Sequence, residues 1–353
     1  MMRRQTTIWI LAGLTMAVLL VEACRKNDVG GGTTGASPTP MPLEVPEGFP
    51  SAQPIFANNP LTKEGFELGR ALFYEGKLSK DSNFPCSSCH QQFAAFATLD
   101  HPLSHGFNNQ FTRRNAPGLF NLAWRTVLHW DGGINHLEVQ PLAPLTAPNE
   151  MAESVVEVIN RLKADPAYPT KFKAAFGTEE INSQRMLKAL AQFMGAIVSG
   201  NAKFDKVKRG QASFTLGEQS GYTIFKTKCA TCHPEPLFTD LSFHNTGLSV
   251  DPVLNDSGRM RITRDPNDYL KFMVPSLRNV YQSAPYGHDG RFYSIGAVID
   301  HYRTGVIHTA TTDPLLQKGI SVSDEEKLDL LSFLRTLTDT TYLRDPRYSK
   351  PGG

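Results

Sequence analysis

Apolar residues recur along this chain at the three- and four-residue intervals of amphipathic helices, and the alternation typical of strands is scarce. The first run begins at Thr62, continues through Phe66 and Leu72, and ends near Gly76. Further helices are predicted over Met151–Lys163, over Asn182–Val198 with Gly200 as a C-cap, and after capping boxes that begin at Thr215 and Ser323. Short apolar pieces such as Met273–Val274 are the main strand signal. The pattern predicts an all-α chain.

Two of the predicted helices lead into a C-x-x-C-H run, Cys86-Ser87-Ser88-Cys89-His90 and Cys229-Ala230-Thr231-Cys232-His233. This spacing lets both thiols form thioethers to one porphyrin edge and places the following imidazole beneath the iron, as in c-type haem attachment. The alternatives are a zinc knuckle, which needs four ligands in one site, and a thioredoxin-like redox pair, which does not need the histidine. Two such runs in one chain favour two covalently bound haems.

The second half of the chain repeats the first in outline, because each half pairs a helix with a haem run. We therefore predict an all-α fold with two cytochrome c-like haem domains in tandem, residues 51–205 and 206–345. The polar, basic stretch Asn201–Gly210 is the preferred boundary. Residues 91–117 form a long loop, and a loop of this length inside a compact domain is usually functional.

The 353 residues suffice for two domains, and the formal net charge of +2 does not indicate a nucleic-acid partner. Four of the five cysteines belong to the haem runs, which leaves only Cys24 and no disulfide framework.

Residues 1–23 resemble an export signal, with Arg3 and Arg4 before the apolar stretch Ile8–Val21. Val21-Glu22-Ala23-Cys24 resembles a lipobox, in which Cys24 is acylated; ordinary cleavage and an uncleaved anchor are the alternatives. Residues 24–50, rich in Gly, Thr, Ser and Pro, are predicted to be a flexible tether. The expected location is the periplasm, with a lipid anchor at Cys24.

The class of protein depends on the sixth ligand of each iron. An electron carrier needs both irons saturated by protein ligands, whereas a peroxidase needs one openable position with an acid/base group above it. Besides the two haem-run histidines, the chain has His101, His105, His129, His136, His244, His288, His301 and His308. A lone histidine is more often structural than a ligand.

Several blocks of sequence resemble the bacterial di-haem cytochrome c peroxidases and the wider family with the MauG-type enzymes. Besides the haem runs, these blocks are Leu68-Gly69-Arg70-Ala71-Leu72-Phe73-Tyr74, Arg114-Asn115-Ala116-Pro117, Trp130-Asp131-Gly132-Gly133, Asn149-Glu150-Met151, Val274-Pro275-Ser276-Leu277-Arg278-Asn279 and Tyr286-Gly287-His288-Asp289-Gly290. They occur in family order over residues 61–340. The resemblance implies a peroxidatic first haem and an electron-transfer second haem.

By this resemblance, His105 is the distal ligand of the first haem in the resting state, with His101 as the weaker candidate and a surface histidine as the alternative for both. Glu150 corresponds to the distal carboxylate that moves a proton during peroxide cleavage, and Gln140 to its hydrogen-bonding neighbour. A purely structural Glu150 would interact with the N-terminus of the predicted Met151–Lys163 helix.

The resemblance also assigns Trp130 as an electron-hopping residue between the haems, against the alternative of a side chain that covers a turn. Asn115, with backbone oxygens near Ser283 and Pro285, corresponds to a calcium site between the domains.

The chain departs from the classical peroxidases at the second haem, where Tyr302 replaces the methionine ligand and matches the MauG-type tyrosine. A phenolate favours ferric and higher states, whereas a thioether raises the potential. Rival ligands are His301, Met273 and Met260, and a buried structural tyrosine is the remaining alternative.

The expected function is reduction of hydrogen peroxide to water with electrons from a small periplasmic redox protein, a cytochrome c or a cupredoxin. The alternative is a MauG-type oxidase that modifies a partner protein or oxidises a small molecule through a high-valent state shared by two irons. A third reading is a pure electron carrier, which has no use for a proton relay such as Glu150 and Gln140. The resemblance is also compatible with a homodimer.

Overall fold

A computed structural model describes residues 37–352, and its regular structure is mostly helical. Eleven α-helical segments occur in this part of the chain: α1 Lys63–Phe73, α2 Cys86–Cys89, α3 Leu142–Thr146, α4 Val155–Ala164, α5 Ala167–Phe176, α6 Ser183–Gly195, α7 Lys203–Lys208, α8 Leu216–Lys228, α9 Met260–Thr263, α10 Ile295–Asp300 and α11 Asp324–Arg335. A π-helical turn, His301–Gly305, continues α10. The other turns are short 3-10 segments, so long irregular stretches connect the helices.

The described residues contain one small sheet, in which β1 Phe243–His244 pairs antiparallel with β2 Phe272–Met273. In its register Phe243 faces Met273 and His244 faces Phe272. The strand signal at Met273–Val274 is therefore confirmed within one residue, and the little sheet present agrees with a mostly helical chain.

Two hydrophobic cores divide the molecule along the chain. The first is built mainly from α1, α4, α5 and α6, and the second mainly from α8 and α11 with Phe204, Phe238 and Phe333. The C-terminal residues Tyr342 and Tyr348 return to the first core. Each haem run is adjacent to its own core, although the division into tandem haem domains stays a prediction.

In each core the helix before the haem run crosses the last helix of that half at a glycine. A Cβ at Gly69 of α1 would lie 2.0 Å from the Ala189 carbonyl oxygen of α6, and a Cβ at Gly221 of α8 would lie 2.0 Å from the Asp329 carbonyl oxygen of α11. Since real side chains do not approach so closely, both crossings require glycine. The same packing device used twice supports an internal repeat.

The capping boxes at Thr215 and Ser323 are confirmed, because each hydroxyl caps its helix and the acidic residue three positions on accepts from the cap backbone. The helix predicted from Met151 begins only at Val155, where Ser154 is the N-cap. The helix predicted to reach Val198 ends at Gly195, so Gly200 is not its C-cap.

The stretch predicted as the domain boundary and part of the predicted tether are ordered against the cores. Part of Asn201–Gly210 is helix α7, in which Phe204 and Asp205 are buried and Asp205 pairs with the buried Arg278. Part of the predicted tether also packs on the fold, since Thr39 donates to the Glu64 carboxylate and Phe49 packs edge-on against Trp124. Composition alone did not predict this packing, because a few apolar side chains are enough to hold a polar segment against the fold. The proposed signal and Cys24 lie outside the described residues.

Across residues 37–352, none of the helices combines the length and the apolar character that crossing a bilayer requires.

Candidate di-haem active site

Both C-x-x-C-H runs fold into the same tight turn. The first forms α2, and the His90 amide donates to the Cys86 carbonyl at 3.0 Å. In the second, which follows the end of α8, the His233 amide donates to the Cys229 carbonyl at 3.0 Å. This hydrogen bond from the amide of residue i+4 to the carbonyl of residue i places both cysteines and the histidine of each run on one side of the turn.

Each run lines a cavity of its own. A cavity of about 330 Å³ is bordered by Cys86, Cys89 and His90. A second cavity, of about 520 Å³, is bordered by Cys229, Cys232 and His233. Burial raises the pKa of Cys86 and of Cys229 to about 12, so both thiols are neutral in this environment. Two thiols and an imidazole beside a largely apolar cavity fit a covalently attached haem.

The proximal histidines are oriented identically. His90 Nδ1 donates to the Phe96 carbonyl oxygen at 2.8 Å, and His233 Nδ1 donates to the Phe238 carbonyl oxygen at 3.0 Å. Both phenylalanines have φ of 55° and are fully buried. These bonds fix the tautomer and leave each Nε2 with its lone pair available for iron. Burial lowers the pKa of His90 to about 4, which keeps the ligand neutral.

The first cavity gathers all four predicted catalytic residues, Glu150, Gln140, His105 and Trp130. Burial raises the pKa of Glu150. Burial also raises the pKa of Cys89, and the charge of Glu150 adds to that rise because the carboxylate lies near the sulfur. The Glu150 carboxyl group has no hydrogen-bond partner in residues 37–352, so it is available to a ligand in the cavity. Glu150 precedes the Ser154 cap by four residues and is therefore not a carboxylate of the α4 N-terminus.

His105 lies on a loop that packs against the Glu150 turn. Its Nδ1 donates to Asn109 Oδ1 at 2.6 Å, which leaves Nε2 free. The Phe107 amide donates to the Glu150 carbonyl at 2.7 Å, and a Cβ at Gly106 would lie 2.3 Å from the Asn149 carbonyl oxygen. His101 is exposed, packs edge-on against the His105 ring and does not border either cavity. The structure therefore favours His105 over His101 as the cavity residue.

Trp130 borders both cavities and is held from two directions. Its indole Nε1 donates to the Asn115 carbonyl at 2.9 Å, and its own carbonyl accepts from the Met273 amide at 2.7 Å. The adjacent Asp131 is bound by Arg114, whose guanidinium also forms a two-pronged pair with Asp256 at 2.6 and 2.8 Å. This network fixes the indole in the wall common to the cavities.

Tyr302 borders the second cavity from the π-helical turn His301–Gly305. Such turns insert one residue into a helix and redirect the side chains that follow, which is common at functional sites. Burial, with the nearby Cys229 and Cys232 thiols, raises the pKa of Tyr302 to about 12. Among its rivals, His301 Nε2 donates to the Thr246 carbonyl at 2.8 Å, and Met260 does not border either cavity. Met273 does border the second cavity.

The three residues of the predicted calcium site, Asn115, Ser283 and Pro285, all border the second cavity. The Asn115 amide nitrogen Nδ2 donates to the Pro102 carbonyl at 3.0 Å, which leaves Oδ1 turned away from that bond. Residues 37–352 do not gather three His, Cys, Asp or Glu side chains around one point. A calcium ion here would therefore depend on amide and carbonyl oxygens, and the site stays a prediction.

Three polar side chains border the cavities although the sequence assigned no role to them. His129, with φ of 67°, borders both cavities, and its Nε2 lies 3.5 Å from Gln140 Nε2. Arg125 also borders both cavities. His244 borders the second cavity and is bound by Asp313 and by Ser242 Oγ, the latter at 2.6 Å. Nothing in their local sequence distinguishes these residues from ordinary loop and strand residues.

Two cavities with identically oriented histidines, in one mostly helical chain, define the class of di-haem c-type oxidoreductases. A sequence profile described as di-haem cytochrome c peroxidase matches residues 63–213. The chain is 38% identical over 298 residues to the methylamine utilization protein MauG of Methylorubrum extorquens, covering 82% of each chain. It is 31% identical over 294 residues to cytochrome c551 peroxidase of Nitrosomonas europaea, covering 81% of this chain and 83% of the relative. The chain belongs to the di-haem cytochrome c peroxidase family, which includes the MauG proteins.

Solved structures agree with this assignment. A MauG-like protein associated with microbial copper homeostasis superimposes with a TM-score of 0.82 at 34% identity, covering 88% of this chain and 99% of that one. The di-haem peroxidase BthA of Burkholderia thailandensis superimposes with a TM-score of 0.70 at 21% identity, covering 89% of this chain and 98% of that one, and shows the shared fold.

Proposed function

We propose that this protein reduces hydrogen peroxide to water, with the first cavity as the site of reaction and the second as the site of electron entry. The observation that carries the proposal is the Glu150 carboxyl group, which is partly buried beside the first haem run and has no hydrogen-bond partner in the described part of the chain. The second cavity has a different carboxylate, Asp313, which is bound to His244. A free acid/base group on one side only fits a pair of unequal haems.

The reaction takes up two electrons and two protons for each peroxide and releases two molecules of water. A haem held by Cys86, Cys89 and His90 would supply the redox-active iron. Because burial raises its pKa, the Glu150 carboxyl group holds a proton closer to neutral pH than an exposed glutamate does. It can therefore take a proton from one peroxide oxygen and give it to the other, which is the task of a general acid/base group.

His105 and Gln140 complete the first cavity. With Nδ1 bound to Asn109, His105 presents a free Nε2 and can act as a displaceable ligand on a loop that contains Asn108 and Asn109 at positive φ. Gln140 supplies an amide donor and acceptor within the same cavity. The indole of Trp130, fixed in the common wall, is placed to carry charge between the cavities.

The electron donor is proposed to be a small redox protein, a cytochrome c or a cupredoxin, and the location to be the periplasm with an anchor at Cys24. The relatives named as cytochrome c peroxidases support such a donor. Calcium bound by Asn115 and the carbonyls near Ser283 and Pro285 is part of the same proposal.

A second function is favoured by Tyr302. A phenolate ligand on the second haem would favour high oxidation states and suit an enzyme that oxidises a partner protein or a small molecule, as the MauG likeness indicates.

Steady-state turnover with peroxide and a reduced cytochrome c or cupredoxin distinguishes the two functions. If the protein is a peroxidase, it should oxidise the donor continuously, at two donor molecules for each peroxide. The control Glu157→Gln, at an exposed residue, should leave the rate unchanged. A protein that reacts with peroxide but does not oxidise any such donor contradicts it and favours the second function.

A further inference from the structure

Arg125 is a partly buried cation that has no carboxylate partner in the described part of the chain. It follows the 3-10 turn Leu122–Trp124 and borders both haem cavities. Within residues 37–352 its side chain makes no hydrogen bond and no ion pair, although its backbone amide donates to the Leu122 carbonyl at 3.0 Å. Burial alone lowers the pKa of Arg125 to about 10. A guanidinium in such a place is unfavourable unless an anion accompanies it.

The nearby carboxylates already have other roles. Arg114 binds Asp131 and Asp256, and His244 binds Asp313. The pKa of Glu150 is raised by burial with no cation that lowers it, so Arg125 does not neutralise Glu150. An anion that balances the Arg125 guanidinium would therefore belong to a group bound in the cavities.

A haem held by either C-x-x-C-H run would supply such an anion, because the porphyrin carries two propionate groups. Arginine is the residue best suited to carboxylates, since its planar fork presents parallel N–H donors. Its place in the wall shared by the cavities makes Arg125 accessible to a propionate from either side.

We propose that Arg125 binds a propionate of each haem and so acts as the shared counter-ion that links the two groups. The cation then stabilises the reduced, less positive state of both irons together. The loss of a proton or a change of charge at one haem therefore alters the midpoint potential of the other. This inference rests on haem in both cavities and not on which reaction the protein performs.

The test compares three variants of the full-length holoprotein by anaerobic spectroelectrochemical titration, with no peroxide present. Arg125→Gln should lower the midpoint potentials of both haems, because the loss of a nearby positive charge favours the ferric state. Arg125→Lys, which keeps the charge, should restore most of each potential. Arg264→Gln is the matched control, since Arg264 is an exposed arginine that does not border either cavity.

A shift of one potential alone would show that Arg125 serves one haem and would overturn the shared site, as would a shift of neither or an equal effect of Arg264→Gln. Intact-chain mass and haem content verify that both groups remain attached. If Arg125→Gln does not mature, the propionate bending bands in resonance Raman spectra of Arg125→Lys decide: bands altered at both haems support the proposal, and unchanged bands overturn it. Absence of peroxide turnover in the wild-type protein would count against the proposed function only, because the potentials are measured without peroxide.

Discussion

The two cavities are alike around the histidines of the C-x-x-C-H runs and differ in the rest of their lining. Each proximal histidine donates to the carbonyl of a buried phenylalanine with the same φ, and each half has a glycine helix crossing. The rest of the lining differs, because Glu150 borders only the first cavity and Tyr302 only the second. The repeated features are those around the C-x-x-C-H runs, and the proposed function assigns the reactivity to the few lining residues that are not repeated.

The largest expected effect comes from removing one attachment site at a time. In Cys86→Ala with Cys89→Ala, the first haem should be lost, with haem content reduced by half, peroxide turnover abolished and the second haem's spectrum retained. Cys229→Ala with Cys232→Ala should remove the other haem. Intact-chain mass and a pyridine haemochrome assay measure both. If either double variant loses both haems, or neither, the two sites are not the separate units described here.

A smaller effect is expected from Glu150→Gln, which keeps the shape of the side chain and removes its proton exchange. Peroxide turnover should fall about 100- to 10,000-fold, the usual contribution of general acid/base catalysis. Both haems and their spectra should stay intact. Steady-state kinetics beside the exposed control Glu157→Gln measure it, and a rate within a factor of about two of wild type would remove Glu150 from the catalytic site.

The likeness of the two halves is tested by Gly69→Ala and Gly221→Ala. Each added methyl group would meet a carbonyl oxygen at 2.0 Å, so each should lower the free energy of unfolding by about 1–3 kcal/mol, as overpacking usually does. Gly296→Ala in α10 is the control, because its methyl group would come no closer than 3.4 Å to the flexible Lys327 side chain and 3.8 Å to Ser294 Oγ. Denaturant unfolding measures the three, and one tolerated crossing would show that the halves pack differently.

The smallest effect concerns pH. Burial raises the pKa of Glu150 in the folded protein above its unfolded value, so the folded state retains the proton over a wider pH range. The free energy of unfolding should therefore decrease as pH rises through the raised folded-state pKa. Glu150→Gln should lack this decrease, and its stability relative to wild type should rise with pH. Parallel denaturant titrations from pH 4 to pH 8 measure the difference, and parallel pH profiles contradict it.

The sequence predicted the repeated features best, because their signals are local. A C-x-x-C-H run contains its own chemistry, and a capping box such as that at Thr215 depends only on residues three apart. The blocks that resemble the family also singled out Glu150, Gln140 and Trp130, and all three border the first cavity.

The features that sequence missed depend on contacts between distant residues. Arg125 is notable only because it borders both cavities, and His244 only because Asp313, distant in sequence, forms a hydrogen bond with it. The segment containing Phe204 and Asp205 reads as a polar linker until Arg278, distant in sequence, is seen to pair with Asp205. Helix ends were misplaced by four residues at α4 because Ser154 caps the helix while the hydrophobic pattern begins earlier.

Electron paramagnetic resonance of the fully oxidised protein, in wild type and in Tyr302→Phe, tests the difference between the cavities most directly. Wild type should show two distinct ferric signals, and the variant should change only the signal of the second haem. Identical signals from both haems in wild type, or a variant spectrum that matches wild type, would contradict it.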